Sequence, residues 1–155
     1  MTDKSILTEC NIYAKNMSTC CKAQVGCLVY LGSKCISSGY NLSMPTNCKK
    51  YGCHRVDVYG EDSKNHRLPS DCYALHSEIM AIALAARNGD NLLGADMYIS
   101  RYPCEACARA IVASGINKVI YGGIEEISEQ TKEIFKNNGV EVEFIYTPWG
   151  GDTVE

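Results

Sequence analysis

Two short motifs, each set where a helix should begin, constrain this chain more than any other feature. His76-Ser77-Glu78 precedes the apolar run IMAIALAARN, and Pro103-Cys104-Glu105-Ala106-Cys107 precedes ARAIVA. Residues 95–100 (ADMYIS), between them, read as a strand. A Cys-x-x-Cys at a helix N-terminus puts both sulfurs on one side of the first turn. The positive end of the helix helps both thiols ionise. One imidazole and two thiolates make three protein ligands, and tetrahedral zinc takes four, so a water can take the last position. Such an open sphere marks a catalytic rather than a structural metal. Glu78, two residues past His76, lies close to that metal without being a ligand and is placed to carry protons. A zinc ribbon, the competing explanation, needs a fourth protein ligand and has no use for Glu78.

The rest of the chain supplies a frame. Residues 3–17 carry Ile6, Leu7, Cys10, Tyr13, Ala14 and Met17 at helical spacing. Residues 24–31 (QVGCLVYL) and 34–40 (KCISSGY) read as a hairpin turning at Gly32-Ser33. Residues 41–72 are polar, rich in turn formers and long for a structureless stretch, so they need a function or a staple. Residues 75–88 form an apolar helix stopped by Gly89. Pro103 opens a helix through Ala113, residues 117–121 are a strand, 125–138 a helix ended by Gly139, and 140–146 the last strand. A hairpin followed by alternating helix and strand predicts one domain over residues 1–155. Its fold is α/β, with helices on both faces of a mixed sheet of about five strands.

Charge and cysteine use narrow the partners. The net charge is −3, and the longest basic run is Lys49-Lys50, so the basic stripe of a polynucleotide binder is missing. A small ligand is expected instead. No apolar run is long enough to span a bilayer, and the start MTDKSILTEC lacks a secretory pattern. The expected location is therefore the cytoplasm. There are ten cysteines, and in a reducing compartment clustered cysteines bind metal or do catalysis. Cys10, Cys27 and Cys35 sit in apolar surroundings and read as small core residues.

His-x-Glu with Pro-Cys-x-x-Cys is the signature of zinc deaminases, whose glutamate moves protons and is not a ligand. Over nearly its whole length the chain resembles the deoxycytidylate deaminase family. The resemblance runs through Gln24-Val25-Gly26, Gly39-Tyr40-Asn41, His76-Ser77-Glu78, Tyr102-Pro103-Cys104 to Cys107, Ile111 to Gly115, and Gly139-Val140-Glu141-Val142. The tail Ala85-Ala86-Arg87-Asn88-Gly89 is similar to phage members.

The resemblance implies a cytidine-deaminase-like three-layer α/β/α sandwich with a mixed five-stranded sheet. It implies deamination of dCMP to dUMP with catalytic Zn2+ on His76, Cys104 and Cys107. It also implies a homo-oligomer, with a hexamer favoured, and regulation by dCTP or dTTP with Mg2+. Asn41 matches the asparagine that binds substrate sugar or phosphate, and Lys22 falls where a phosphate-binding cation often stands. An exposed lysine is the plain alternative for Lys22. Ala74 and Leu75 would shape the pocket wall, and Arg87 falls at a subunit-contact position. A second, structural zinc would rest on Cys20, Cys48, Cys53 and Cys72, with Cys21, His54 and His66 as alternative ligands, stapling an insert over about 41–74. Free thiols in the insert are the alternative.

Three departures from the family pattern concern the substrate. Leu42 follows Asn41 in place of glycine, Met80 stands in place of asparagine, and Gly122 to Glu126 lack a tyrosine, for which Trp149 could substitute. Cytidine, deoxycytidine or 5-modified dCMP are therefore alternative substrates. A nucleic-acid deaminase and a non-catalytic nucleotide-binding module fit less well, the first for want of basic surface and the second because it has no need of Glu78.

Overall fold

The computed structural model describes residues 1–64 and 72–148. Helix α1 (Asp3–Met17) leads into the hairpin of β1 (Gly26–Leu31) and β2 (Lys34–Tyr40). The insert follows as β3 (Leu42–Ser43), α2 (Cys48–Tyr51), α3 (His54–Tyr59) and a 3-10 turn over Gly60–Lys64. Then come β4 (Ala74–Leu75), α4 (Ser77–Asn88), β5 (Asp96–Ile99), α5 (Glu105–Ala113), β6 (Lys118–Tyr121), α6 (Glu129–Asn137) and β7 (Glu141–Phe144).

The main sheet has the order β2-β1-β5-β6-β7. β1 runs antiparallel to β2 and β5, while β5, β6 and β7 are parallel, so the sheet is mixed as expected. Alternation along each strand divides two cores. Cys27, Val29, Met97, Ile99, Val119 and Tyr121 face α4, α5 and α6, where Ala81, Ala85, Ala108, Ile111 and Phe135 meet them. Leu28, Tyr30, Tyr98 and Ile120 face α1 through Ile6, Leu7 and Cys10. The result is three layers, with α1 on one face and α4 to α6 on the other.

Local chemistry moves several boundaries from where periodicity put them. Leu75 leaves the predicted helix and with Ala74 pairs with β3, Leu42 opposite Leu75 and Ser43 opposite Ala74. Pro103 lies outside α5, because Cys104 is the N-cap and its sulfur accepts from Cys107 N at 3.5 Å. α6 starts only at Glu129, because the Ser128 hydroxyl caps Thr131 N at 3.1 Å. Cys10 and Cys27 are core residues, but Cys35 is exposed. An irregular register near Val29 pairs Cys35 with Tyr30 on the open edge strand.

α4 lies unusually close to β2. A Cβ at Gly39 would collide with the Ser77 carbonyl oxygen and stand 2.7 Å from Ala81 N. Ser37 Oγ on the same strand donates to the Ala81 carbonyl at 2.7 Å. These contacts seat the N-terminus of α4 against the sheet. Among the described residues, no helix is long and apolar enough to cross a membrane.

Candidate metal centre

His76 is the N-cap of α4, with extended backbone at φ −66° and ψ 149°, directly after the β3–β4 ladder. Cys104 is the N-cap of α5, and Cys107 lies one turn on and is buried. One ligating atom from each of His76, Cys104 and Cys107 falls within 4.8 Å of the other two. His76 Nδ1 is 3.3 Å from Cys107 Sγ and 3.6 Å from Cys104 Sγ. Tetrahedral zinc with a nitrogen at about 2.05 Å and a sulfur at about 2.3 Å sets that N···S edge at about 3.6 Å. The donor set, one borderline nitrogen and two soft sulfurs, also suits zinc. The residues present therefore fit zinc in both chemistry and spacing, with Nδ1 as the histidine donor.

The charges within the trio are arranged for a cation. Cys104 is pulled down to about 3 by its hydrogen bonds with Cys107 and His76. Cys107 is pushed up by its bond to Cys104 and by burial. The two thiols thus share one proton, and the negative charge lodges on Cys104. The bond to Cys104 raises His76 to about 8, although burial opposes it.

Glu78 is buried at 3% exposure, two residues into the helix. Burial raises its pKa, while its own backbone N–H, the nearby His76 charge and the Ser77 hydroxyl pull the other way. Its charge in turn acts on Cys107 and Cys27. The carboxyl therefore stands beside the trio without belonging to it.

The other predicted site residues are placed less uniformly. Asn41 is buried and committed within the protein: Oδ1 accepts from Val25 N at 2.9 Å and from Ser18 Oγ, and Nδ2 donates to the Ala23 carbonyl at 2.7 Å. Lys22 is exposed. Leu75 lines an apolar groove of about 210 Å³ with Leu42, Met80, Ala83, Leu84 and Arg87. Met80 therefore belongs to the outer face of α4, and Ala74 to the ladder with Ser43.

Among the described residues, no three of Cys20, Cys21, Cys48, Cys53, Cys72 and His54 come within 4.8 Å of one another. Cys20, Cys53 and Cys48 are near enough to Cys21 to raise its pKa, after burial, whereas Cys72 acts on His76. His54 stacks on Tyr73 at 4.4 Å. His66 and Trp149 lie outside the described residues.

Two polar arrangements were not anticipated from the sequence. Thr19, Ser43 and Cys48 form a node that ties the insert to the end of α1: Ser43 N donates to Thr19 Oγ1 at 2.8 Å, Cys48 N to Ser43 Oγ at 3.0 Å and Lys49 N to the Thr19 carbonyl at 2.9 Å. Ser77 Oγ donates to Glu78 Oε2 at 3.1 Å. Lone serines and threonines carry no periodic signal, so only a three-dimensional arrangement exposes such pairs.

Comparison with known proteins agrees with this geometry. Residues 1–123 match the family described as the cytidine and deoxycytidylate deaminase zinc-binding region. The deoxycytidylate deaminase of Enterobacteria phage T2 is 32% identical over 158 residues, covering 81% of this chain and 82% of the phage protein. That of Saccharomyces cerevisiae is 34% identical over 139 residues, covering 86% of this chain and 42% of the yeast protein. The crystal structure of dCMP deaminase from cyanophage S-TIM5, in complex with dCMP and dUMP, superposes with a TM-score of 0.68 at 21% identity, over 92% of this chain and 95% of that one. The fold is thus shared with that structure, and the chain belongs to the cytidine and deoxycytidylate deaminase family.

Proposed function

We propose that this chain deaminates dCMP hydrolytically to dUMP, consuming water and releasing ammonia, in pyrimidine deoxynucleotide metabolism that supplies dTMP. The observation that carries the reading is the convergence of His76, Cys104 and Cys107 next to the buried carboxyl of Glu78. The named relatives and the family match support it. Zinc held by the trio supplies Lewis acidity, which brings the pKa of a water to about 7. Glu78 takes a proton from the water and gives it to ring N3 of the cytosine as the hydroxyl adds to C4; it then takes the proton of that added hydroxyl and gives it to the departing amino group, leaving the C4 carbonyl and ammonia. Burial suits that role, because it raises the pKa of the carboxyl and so makes it a better proton acceptor. Leu75, at the end of β4 beside His76, is the pocket-wall residue of this reading, and Ala74 supports it.

A second reading, deamination of cytidine, deoxycytidine or a 5-modified dCMP, is favoured by the commitment of Asn41 to Ala23 and Val25. With that amide engaged, Lys22 is the remaining phosphate candidate. Ammonia release from a panel of bases, nucleosides and nucleotides, with and without dCTP, tests both readings. Turnover of dCMP supports the first, and turnover of a nucleoside with none of dCMP overturns it.

Further roles belong to the same proposal. A structural zinc would bind Cys20, Cys48 and Cys53, with Cys72 or Cys21 as the fourth ligand. The nearness of Cys20, Cys53 and Cys48 to Cys21, whose pKa they raise after burial, supports Cys21. The apolar groove with Arg87 at α4 is the contact face of a homo-oligomer, with a hexamer favoured. dCTP and dTTP with Mg2+ are the proposed effectors, and the cytoplasm is the proposed location.

A further inference from the structure

We infer that Ser77 is a positioning residue that fixes the carboxylate of Glu78 through one of its two oxygens; this rests on the reading of Glu78 as the proton carrier. Ser77 Oγ donates to Glu78 Oε2 at 3.1 Å. Both residues are enclosed, Ser77 at 0% and Glu78 at 3% exposure. A serine at the start of a helix ordinarily faces solvent or caps the backbone. Here the cap position belongs to His76, and the one hydrogen bond of the Ser77 side chain among the described residues goes to Glu78.

The enclosure has a structural origin. Gly39 lacks a Cβ where the Ser77 backbone passes, so β2 closes directly over the first turn of α4. The hydroxyl is buried with the carboxyl rather than beside solvent. If it were removed, the oxygen it serves would lose its donor in a place where a buried acceptor is costly to leave unpaired.

The arrangement suits a group that must load and unload protons repeatedly. A hydroxyl donates to Oε2 whether the carboxyl is ionised or protonated on Oε1. Glu78 therefore keeps one orientation through the cycle, and proton traffic is confined to the oxygen that Ser77 does not hold. The bond forms no part of the metal trio, so its loss should spare zinc binding.

The test compares the zinc-loaded wild type with Ser77→Ala, Ser77→Cys and Glu78→Gln. Alanine is smaller and a good helix former, so the helix start should persist. The expected result for Ser77→Ala is unchanged zinc content, a melting temperature lower by a few degrees because one buried acceptor is left unpaired, KM for dCMP within about twofold, and kcat lower by about tenfold, the scale of one hydrogen bond to a charged group. Ser77→Cys, with a weak donor of similar shape, should fall between the two. Independently of activity, the carboxyl 13C resonance of Glu78 in the zinc-free chain should move on Ser77→Ala. A wild-type kcat with an unmoved resonance overturns the inference, and so does a rate loss explained by lost zinc or by unfolding at the assay temperature. If Glu78→Gln keeps the full rate, the fault lies with the proton-carrier reading itself. If Glu78→Gln is inactive and Ser77→Ala is normal, only the role of Ser77 fails.

Discussion

Asn41 and Val25 are joined by two hydrogen bonds, Val25 N to Asn41 Oδ1 at 2.9 Å and Asn41 N to the Val25 carbonyl at 3.1 Å. The pair locks the end of β2 to the segment that enters β1, and Asn41 Nδ2 extends the lock to Ala23. Asn41→Ala removes three side-chain bonds at a buried site. The expected cost is about 2–4 kcal/mol, since each orphaned buried group costs about 1–3 kcal/mol and relaxation recovers part. Urea denaturation of the two proteins measures it. A loss below about 0.5 kcal/mol, at the level of an ordinary surface change, would assign the side chain to ligand rather than to fold.

Glu78→Ala should leave the metal in place and lower turnover by about 10³-fold, the scale of a general acid–base group. Zinc content by elemental analysis and ammonia release from dCMP check the two halves separately. A variant that keeps zinc and turns over normally would place the proton transfer elsewhere.

With the metal stripped by a chelator, Cys104 should be the most acid-tolerant nucleophile in the chain. Its folded pKa is lowered to about 3, so the thiolate persists as pH falls and is lost only near that value. Alkylation of Cys104 should therefore be nearly flat between pH 5 and pH 8, where an ordinary thiol gains about tenfold per unit. Cys21 and Cys35, exposed but with raised pKa values, stay protonated across that range. Peptide mapping after brief iodoacetamide treatment gives the order of modification. Restoring zinc should protect Cys104.

Metal content tests the staple. Two zinc ions per chain are expected, about one of them lost in Cys53→Ser, with a melting temperature lower by several degrees and turnover retained at low temperature. A single zinc in the wild type would leave the insert held by the Thr19, Ser43 and Cys48 node and the β3–β4 ladder.

Gly39→Ala should destabilise the fold and reduce turnover together, because the added carbon meets the Ser77 carbonyl and forces α4 away from β2. Thermal melts and ammonia release should fall in parallel. Normal values for both would mean that the helix start can shift without consequence for Glu78.

What could be read directly from the sequence was chemistry tied to strong local signals. His76, Glu78, Cys104 and Cys107 announce themselves because few residue types hold a metal and their spacing is tied to helix starts. The sheet and its flanking helices follow from long periodic runs such as those around Ala81 and Val119. The rest depended on contacts between distant residues. The β3–β4 ladder has two residues on each side, too few to show alternation. Capping moved the start of α6 to Glu129 against an amphipathic pattern that began earlier. A register irregularity put Cys35 outside the core despite apolar neighbours. At Asn41 the motif position suggested a ligand contact, and the bonds that also tie the side chain to the fold carry no local signal in the sequence.

Ser43 and Ala74 are cross-strand partners, so the polypeptide between them departs and returns at a single gate. Lengthening, shortening or exchanging what lies beyond that gate need not alter how the backbone arrives at His76. Redesign of the segment that keeps Cys48 on Ser43 and Lys49 on Thr19 would thus leave the reacting groups their footing.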